Sequence, residues 1–412
     1  MKSSRWGVFV VLLVGMMANL SSAAEKPLKV FILAGQSNME GHAQLRVLDY
    51  LGDDPKTSPL LAAMKDSDGN YRTIKNTWIS FLTGVRGRID GDNREVFGPL
   101  TVGYGSQAGR NYEELGTRIG PELAFGITMQ ESLKQPVLII KTAWGGQSLA
   151  VNYRPPSSGP YKQTEANARR FETEEKREKL KTATGARYRQ MIEHVRAVLK
   201  NPKRVVPSYD KEQGYEIAGF AWFQGFNDMV DRSTYPTRDQ PGGYYQYTEC
   251  MANFIRDVRK DLNAPKMPFV IGVIGVGGPL NKDSRYYKVH SNFRQAMAAP
   301  ASIPEFKGNV VAVQTAPFWD QKLAAIDAKK QQFRGKANAL RTKNKNHENA
   351  DGKMSAADIK AFMVDFEKKL ISDEERKLEQ RGKSNAGYHY LGSAKTYSQI
   401  GQAFAQALLK LH

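Results

Sequence analysis

A serine follows the first buried β-strand that the sequence predicts. Residues 28–34 form a β-branched and aromatic run that ends at Gly35, and segment 35–41 then reads GQSNMEG. A serine in this place presents its hydroxyl at the carboxyl edge of a sheet, where its own backbone N–H can face a developing oxyanion. Ser37 is therefore a candidate nucleophile. The competing interpretation is a Ser/Asn turn that caps a helix.

The segment differs from two better-known loops. Met39 occupies the place of the second glycine in the Gly-x-Ser-x-Gly elbow of α/β-hydrolases. The Gly-Lys-Ser/Thr ending of a phosphate-binding loop is also missing from this segment. Neither motif accounts for the serine.

Two further segments place groups for oxyanion binding at the ends of predicted strands. Segment 142–148, TAWGGQS, contains Gly145 and Gly146, which allow a backbone N–H to approach a substrate oxygen closely. Segment 222–228, WFQGFND, offers the side-chain amides of Gln224 and Asn227. Each segment alone is also compatible with an ordinary turn.

A histidine precedes the last predicted helix. Segment 385–392, NAGYHYLG, provides the imidazole of His389, a group suited to proton transfer near neutral pH. The types of residue available are thus a hydroxyl nucleophile, a base and several oxyanion donors.

Alternating strands and helices are expected to bring these segments together. Apolar runs at 28–34, 136–142, 217–223, 269–274 and 310–314 predict buried strands, and segments 121–134, 186–199, 244–262 and 393–411 have helical spacing. Strands that are apolar throughout indicate a parallel sheet covered on both faces. Ligands of such sheets bind at the carboxyl ends of the strands, where the glycines and polar residues of this sequence collect.

The ordered Ser, Gly, Asn and His blocks resemble the SGNH hydrolases, and within them the sialate O-acetylesterase-like carbohydrate esterases. The resemblance implies a three-layer α/β/α sandwich with a central parallel, flavodoxin-like sheet. It also implies a serine esterase that removes O-acetyl groups from carbohydrates through an acyl-enzyme, without a metal or cofactor. By the same resemblance Ser37 is the nucleophile and His389 the base. The oxyanion donors are the backbone N–H groups of Ser37 and of Gly145 or Gly146, with the side chain of Asn227 or Gln224.

One position departs from the family pattern. The family usually places an aspartate three residues before the histidine to orient it, but Ala386 stands there, with Asn385 one residue further back. Asp320, which follows the predicted strand 310–314, is one candidate for the orienting group. A backbone carbonyl that leaves Ser37 and His389 as a dyad is the other, and we favour Asp320.

The N-terminus has the pattern of a secretory signal peptide. Lys2 and Arg5 precede the apolar run 7–18, and residues 21–24 read SSAA. The run is shorter than the roughly 20 residues that span a bilayer, and no later stretch is long and apolar enough to do so. We therefore expect residues 1–24 to be removed and the protein to be secreted or periplasmic, without a transmembrane segment.

The formal net charge of the 412-residue chain is +18, and much of it lies in two stretches. Residues 161–205 contain 13 Lys and Arg against 6 Asp and Glu, and residues 321–384 contain 16 against 10. We expect both to be solvated helical insertions in a single esterase domain spanning 25–412. Such charge also fits a non-catalytic module that binds acidic polysaccharide or nucleic acid. Against this alternative, acidic residues are interspersed in both stretches and no nucleic-acid motif is present, so no nucleic-acid partner is expected.

Cys250, His42 and segment 347–358 are weaker signals, for which we favour structural roles. Cys250, the only cysteine, excludes an internal disulfide and a cysteine-built zinc site and is expected to pack in the core. His42, close to the serine segment, is a candidate substrate contact, but we favour a solvated loop histidine. Segment 347–358 resembles a calcium-binding loop, but His347 and Asp358 occupy its first and last positions, where Asp and Glu are usual. An esterase for non-carbohydrate short-chain esters stays open as an alternative, as do the particular sugar and the oligomeric state.

Overall fold

The computed structural model describes residues 26–84, 93–106 and 115–411. The predicted signal peptide, residues 1–24, lies outside these described residues.

A seven-stranded sheet forms the centre of the molecule. Its strand order is β4-β3-β6-β1-β7-β8-β9, and a separate pair is formed by β2 and β5. The strands are β1 Leu28–Gly35, β2 Ala43–Gln44, β3 Thr77–Thr83, β4 Arg94–Pro99, β5 Arg118–Ile119, β6 Val137–Ala143, β7 Tyr215–Phe223, β8 Phe269–Val273 and β9 Val310–Gln314. All five strands predicted from the sequence are present.

The sheet is parallel except at one edge. β4 pairs antiparallel with β3, while β3, β6, β1, β7, β8 and β9 pair in parallel. The prediction of a parallel sheet is thus confirmed for six strands and corrected at β4. The β3–β4 hairpin lies in a stretch that the sequence pattern did not resolve.

Helices cover both faces. They are α1 Ser37–Glu40, α2 Ser58–Met64, α3 Glu122–Leu133, α4 Glu165–Ala168, α5 Glu174–Ala183, α6 Ala186–Lys200, α7 Phe226–Val230, α8 Tyr245–Asp261, α9 Tyr287–Ala298, α10 Gln321–Arg341, α11 Ala356–Leu370, α12 Asp373–Gly382 and α13 Ala394–Leu409. Short 3₁₀ helices include Leu45–Asp53 and Gly387–Gly392.

Two hydrophobic cores flank the sheet because successive strand residues point to opposite faces. In β1, Val30 and Ile32 pack in the core formed with α6, α8 and α9, whereas Phe31 and Leu33 pack in the core formed with α3 and α13. Both faces of β1 are therefore buried. This arrangement confirms the predicted α/β sandwich.

The two charged stretches differ in how they pack. α4 and α5 present mostly exposed residues, but Met191, Val195 and Val198 of α6 lie fully buried against the sheet. The expectation of a solvated insertion is therefore wrong for α6, which is one of the covering helices. In the second stretch, α10, α11 and α12 pack largely on one another and against the 3₁₀ helix Leu45–Asp53.

None of the helices in the described ranges is both long and apolar enough to cross a bilayer.

The central strand β1 lies between β6 and β7. The carboxyl ends of these three strands therefore lie side by side, and each leads directly into one of the segments singled out above. This crevice is where ligands bind in open α/β sheets.

Candidate active site

Ser37 begins a short helical turn directly after β1. Backbone approach is tight here, because a Cβ atom on Gly35 would lie 2.1 Å from the carbonyl oxygen of Phe223, so only glycine fits. Ser37 is 6% exposed. It lines a cavity of about 730 Å³ together with His389, Gly145 and Asn227. The fold thus brings the predicted nucleophile, base and two oxyanion groups into one cavity.

A buried lysine fixes the end of the serine turn. Lys141 Nζ on β6 donates to the backbone oxygen of Glu40 at 2.8 Å, to the backbone oxygen of Tyr104 at 2.7 Å and to Glu122 Oε2 at 2.7 Å. The Lys141 and Glu122 side chains are both fully buried. Burial lowers the pKa of Lys141, and the carboxylate of Glu122 acts in the opposite direction. The ion pair therefore ties α1 to β6 and α3.

His389 lies in a loop with unusual backbone geometry. The two residues after it, Tyr390 and Leu391, both have left-handed conformations, with φ of 49° and 59°, and Gly392 follows at 60°. Non-glycine residues rarely adopt this region, and each such residue costs about 1–3 kcal/mol. The surrounding contacts must supply that energy.

Hydrogen bonds hold this loop closed. The backbone N–H groups of Ser384 and Asn385 both donate to the carbonyl oxygen of Leu391 at 3.0 Å. The hydroxyl of Tyr390 is buried and accepts the N–H of Gly275 at 2.7 Å, and it lies 2.6 Å from Thr315 Oγ1. The loop is thereby anchored to the ends of β8 and β9.

Asn385 orients the imidazole of His389. Its Oδ1 lies 3.1 Å from His389 Nδ1 and also accepts the backbone N–H of Ala386 at 2.7 Å. Because a backbone N–H can only donate, the second contact identifies this atom as the amide oxygen. The oxygen therefore accepts from Nδ1–H, and in the neutral ring Nε2 carries no hydrogen and can take a proton.

Asp320 lies elsewhere. Its Oδ1 caps α10 by accepting the N–H of Leu323 at 3.0 Å, and its Oδ2 accepts the hydroxyl of Tyr50 at 2.9 Å. Asp320 lines a different cavity from the one that holds Ser37 and His389. The residue favoured from the sequence as the orienting group is therefore an N-cap, and the amide of Asn385 occupies the position on His389 Nδ1.

Gly145 passes close to the serine. A Cβ atom on Gly145 would lie 3.7 Å from Ser37 Cβ and 3.0 Å from Glu40 Oε2, so a larger residue would crowd the site. Gly146 adopts φ of +76° and its carbonyl accepts Asn227 Nδ2 at 3.1 Å. Both glycines line the cavity beside Ser37.

The structure separates the two amides that the sequence left as alternatives. Asn227 lines the cavity, and its Oδ1 accepts Gln36 Nε2 at 2.9 Å, which turns its amide nitrogen toward the glycine loop. Gln224 is buried behind the cavity, and its Nε2 donates to Asp228 Oδ2 at 2.6 Å. Asn227 is thus the amide placed to reach an oxyanion.

Asp228 organises the loop after Gly146. Its carboxylate is fully buried and accepts the backbone N–H groups of Leu149 and Ala150, at 2.8 and 3.0 Å, and the hydroxyl of Tyr235 at 3.0 Å. Burial raises the pKa of Asp228 in spite of these hydrogen bonds. Asp228 therefore fixes the backbone that follows Gly145 and Gly146.

The sequence of the chain matches a known enzyme family over most of its length. A sequence model of the family described as carbohydrate esterase, sialic acid-specific acetylesterase, matches residues 27–318. The chain belongs to this carbohydrate esterase family. The matched residues include Ser37, Gly145, Gly146 and Asn227 and end before α10, so His389 lies outside them.

Two solved structures are similar to this carbohydrate esterase. One is a protein from Arabidopsis thaliana, with 17% sequence identity and a TM-score of 0.36 over 70% of this chain and 86% of that chain. The other is a carbohydrate acetylesterase from Xanthomonas citri, with 15% identity and a TM-score of 0.37 over 69% of this chain and 49% of that chain. No curated protein sequence matches the chain significantly.

His42 is the main residue of the esterase site that the favoured interpretation of the sequence left out. Its ring stacks on that of His389, with centroids 3.8 Å apart and planes 6° apart, and its side chain is 13% exposed. Its Nδ1 lies 3.2 Å from Ser106 Oγ, and its Nε2 lies 3.7 Å from Glu40 Oε2. The expectation of a solvated loop histidine is therefore wrong. Its position five residues after Ser37 was the available signal.

Charged groups also line the cavity of the esterase. Glu40 accepts Thr83 Oγ1 at 3.0 Å, and Arg94 and Arg118 are also among the residues that line the cavity. Arg118 donates to Ser106 Oγ at 2.8 Å. These arginines lie in a stretch that carried no recognisable motif.

Segment 347–358 and Cys250, which the sequence also singled out, make structural contacts. In segment 347–358, Asn349 bonds the backbone of Leu340 and Met354, and Asp358 forms a capping box with Ser355. Cys250 is buried, and burial raises the pKa of its thiol to about 12.

Proposed function

We propose that this protein is an exported serine esterase of the SGNH type that removes O-acetyl groups from carbohydrates. The observation that supports this most directly is the hydrogen bond between Asn385 Oδ1 and His389 Nδ1, in a cavity that Ser37 also lines. That bond leaves Nε2 able to accept the proton of a serine hydroxyl.

In the acylation step, the acetyl group is transferred from the sugar to Ser37. Ser37 Oγ attacks the acetyl carbonyl carbon while His389 Nε2 takes the hydroxyl proton. The negative charge on the carbonyl oxygen is met by the backbone N–H groups of Ser37 and Gly145 or Gly146 and by Asn227 Nδ2. Collapse breaks the bond to the sugar oxygen, which receives the proton from His389.

Deacylation reverses the roles. Water gives a proton to His389 Nε2 and attacks the acetyl-serine, and collapse returns the proton to Ser37 Oγ and releases acetate. Each oxyanion donor contributes typically a factor of about 10²–10³ in rate.

The arginines that line the cavity favour an acidic sugar as the substrate. Arg94 and Arg118 line the wall of the cavity that holds Ser37, and guanidinium groups pair well with carboxylates. This favours sialic acid or another carboxylate-bearing sugar over a neutral one. The family description, which includes sialic acid-specific acetylesterases, supports the same choice.

Export is the part of the proposal that rests on the N-terminal pattern alone. A signal peptide predicts that the mature chain begins near Glu25. N-terminal sequencing of protein recovered from the medium or periplasm tests this. A chain that still begins at Met1 and stays inside the cell would contradict it.

Acetate release from a panel of acetylated substrates tests the activity. The panel contains O-acetylated sialic acid, acetylated xylan and 4-nitrophenyl esters of acetate and of longer acids. We expect release restricted to acetyl esters and fastest from the acidic sugar. Preference for long-chain esters would favour a non-carbohydrate esterase, and no hydrolysis with salt-sensitive polyanion binding would favour a binding module.

A further inference from the structure

A second cavity opens from the active site. It measures about 1170 Å³ and shares Phe226, Val230, Asn385 and Tyr388 with the cavity that holds Ser37 and His389. The two cavities are therefore neighbours with a common wall. Pockets for drug-sized ligands measure about 300–1,000 Å³, so the second cavity alone exceeds what one acetylated sugar needs. We call it the side cleft.

The second charged stretch forms one wall of the side cleft. Asp327 and Arg334 of α10 and Glu379 of α12 line the cleft, as do Tyr286 and His290 at the start of α9. The helices that looked like a solvated addition in the sequence thus extend the binding surface away from the reacting serine.

Aromatic rings are available along the side cleft. Tyr388, beside the active site, is 44% exposed, and Tyr286 further along is 42% exposed. Trp319 also lines the cleft, and the ring of Phe226 lies 5.9 Å from that of Tyr388. Large flat side chains that stay partly open to solvent offer apolar faces on which the apolar faces of sugar rings can pack.

The charge of the side cleft is positive. Its two acidic side chains already have cationic partners, since Asp327 accepts Lys383 Nζ and Glu379 accepts Lys330 Nζ. Arg232 and Arg334 line the cleft and are exposed. A cleft whose lining has an excess of positive charge attracts anionic ligands.

From these observations we propose that the side cleft binds an acidic glycan chain attached to the acetylated sugar. This inference rests on the proposed function, because it assigns the chain that continues from the sugar at Ser37. Aromatic rings contact the sugar faces, and Arg232 and Arg334 pair with the carboxylates. The enzyme then also acts on acetyl groups within a polymer, in addition to those on single acetylated sugars.

Binding to the inactive Ser37→Ala variant tests the inference without relying on turnover. The probes are an oligomer of galacturonic acid, its monomer, and an uncharged xylose oligomer, each measured by calorimetry. We expect the acidic oligomer to bind at least about tenfold more tightly than its monomer or the neutral oligomer, which corresponds to about 1.4 kcal/mol. Equal affinity of acidic oligomer and monomer would overturn the side-cleft assignment, and equal affinity of the two oligomers would overturn its acidic specificity.

Variants locate the binding. Adding Arg232→Ala and Arg334→Ala to Ser37→Ala should remove most of the chain-length gain. Arg341→Ala is the matched control. Arg341 is an exposed arginine of α10, the helix that carries Arg334, but it does not line the cleft. A loss of affinity in the control equal to that in the double substitution would overturn the assignment. If the wild type releases no acetate from any ester, the proposed function fails. The binding measurements still test whether the side cleft binds an acidic glycan, because they do not depend on turnover.

Discussion

Asn385 Oδ1 lies 3.1 Å from His389 Nδ1, so a neutral amide holds the imidazole that an aspartate would be expected to hold. The amide supplies orientation and fixes the tautomer, but it adds no negative charge to stabilise an imidazolium. We therefore expect orientation, rather than charge, to be what Asn385 contributes.

Substitution of Asn385 should separate these two contributions. Asn385→Ala removes the acceptor on Nδ1, and a misoriented base should lower kcat by about 10²-fold. Asn385→Asp keeps the acceptor and adds a negative charge beside the ring, which should favour the protonated imidazole. The acidic limb of the kcat/KM profile would then move to higher pH.

Asp320→Asn is the matched control for Asn385→Asp. It changes a carboxylate that caps α10 and contacts Tyr50 rather than the imidazole, so neither kcat nor the pH profile should move appreciably. If Asp320→Asn lowers kcat more than tenfold in a folded protein while Asn385→Ala does not, the assignment of the orienting group is wrong.

The stacking of His42 on His389 should be needed for full activity. His42→Ala opens space beside the His389 ring and should lower kcat roughly tenfold, because the base samples unproductive orientations. His42→Phe keeps a flat ring in the same place and should restore most of kcat. If both variants lose activity equally, His42 acts through its nitrogen atoms rather than by stacking.

The buried pair of Lys141 and Glu122 should matter for stability more than for chemistry. Lys141→Met leaves Glu122 buried without its cation, and breaking such a pair costs about 3–5 kcal/mol. Urea unfolding measures the loss, and adding Glu122→Gln should recover part of it. Additive losses in the double variant would show that the two side chains do not interact energetically.

Two histidines, the buried His194 and the half-buried His290, should make the protein sensitive to acid. Burial lowers the pKa of His194 and of His290 to about 4, below the ordinary value of 6.5. The unfolded chain therefore binds more protons between pH 6.5 and 4, so the stability that each contributes is complete above pH 6.5 and is lost as the pH falls toward 4.

Thermal unfolding as a function of pH measures this loss, which is at most about 3 kcal/mol for each histidine. His194→Gln keeps a donor toward Ser80 but cannot be protonated, so its melting temperature should fall less between pH 6.5 and 4. A slope equal to that of the wild type would show that His194 does not titrate in this range.

The strands and the blocks at their ends were predictable because they are local patterns. Buried strands appear as continuous apolar runs, and parallel order places their carboxyl ends together. Ser37 and Gly145 could therefore be assigned to one crevice from the strand pattern, whereas the role of His389 was implied by the resemblance to the SGNH hydrolases.

The partners of those residues depend on tertiary contacts that local patterns do not contain. Asp320 was a reasonable expectation from its place after β9, but its use as the N-cap of α10 depends on where that helix begins. Asn385 reaches His389 only because the loop turns through the left-handed residues Tyr390 and Leu391. The stacking of His42 on His389 likewise arises from packing between distant segments.

The central claim is that Ser37 is the nucleophile and His389 its base. Mass spectrometry after reaction with a serine-directed organophosphonate measures this directly. We expect one adduct per chain, located on Ser37, absent in Ser37→Ala and formed at least about 10²-fold more slowly in His389→Ala. Labelling of another serine, or unchanged labelling and acetate release in a folded Ser37→Ala variant, would contradict the account.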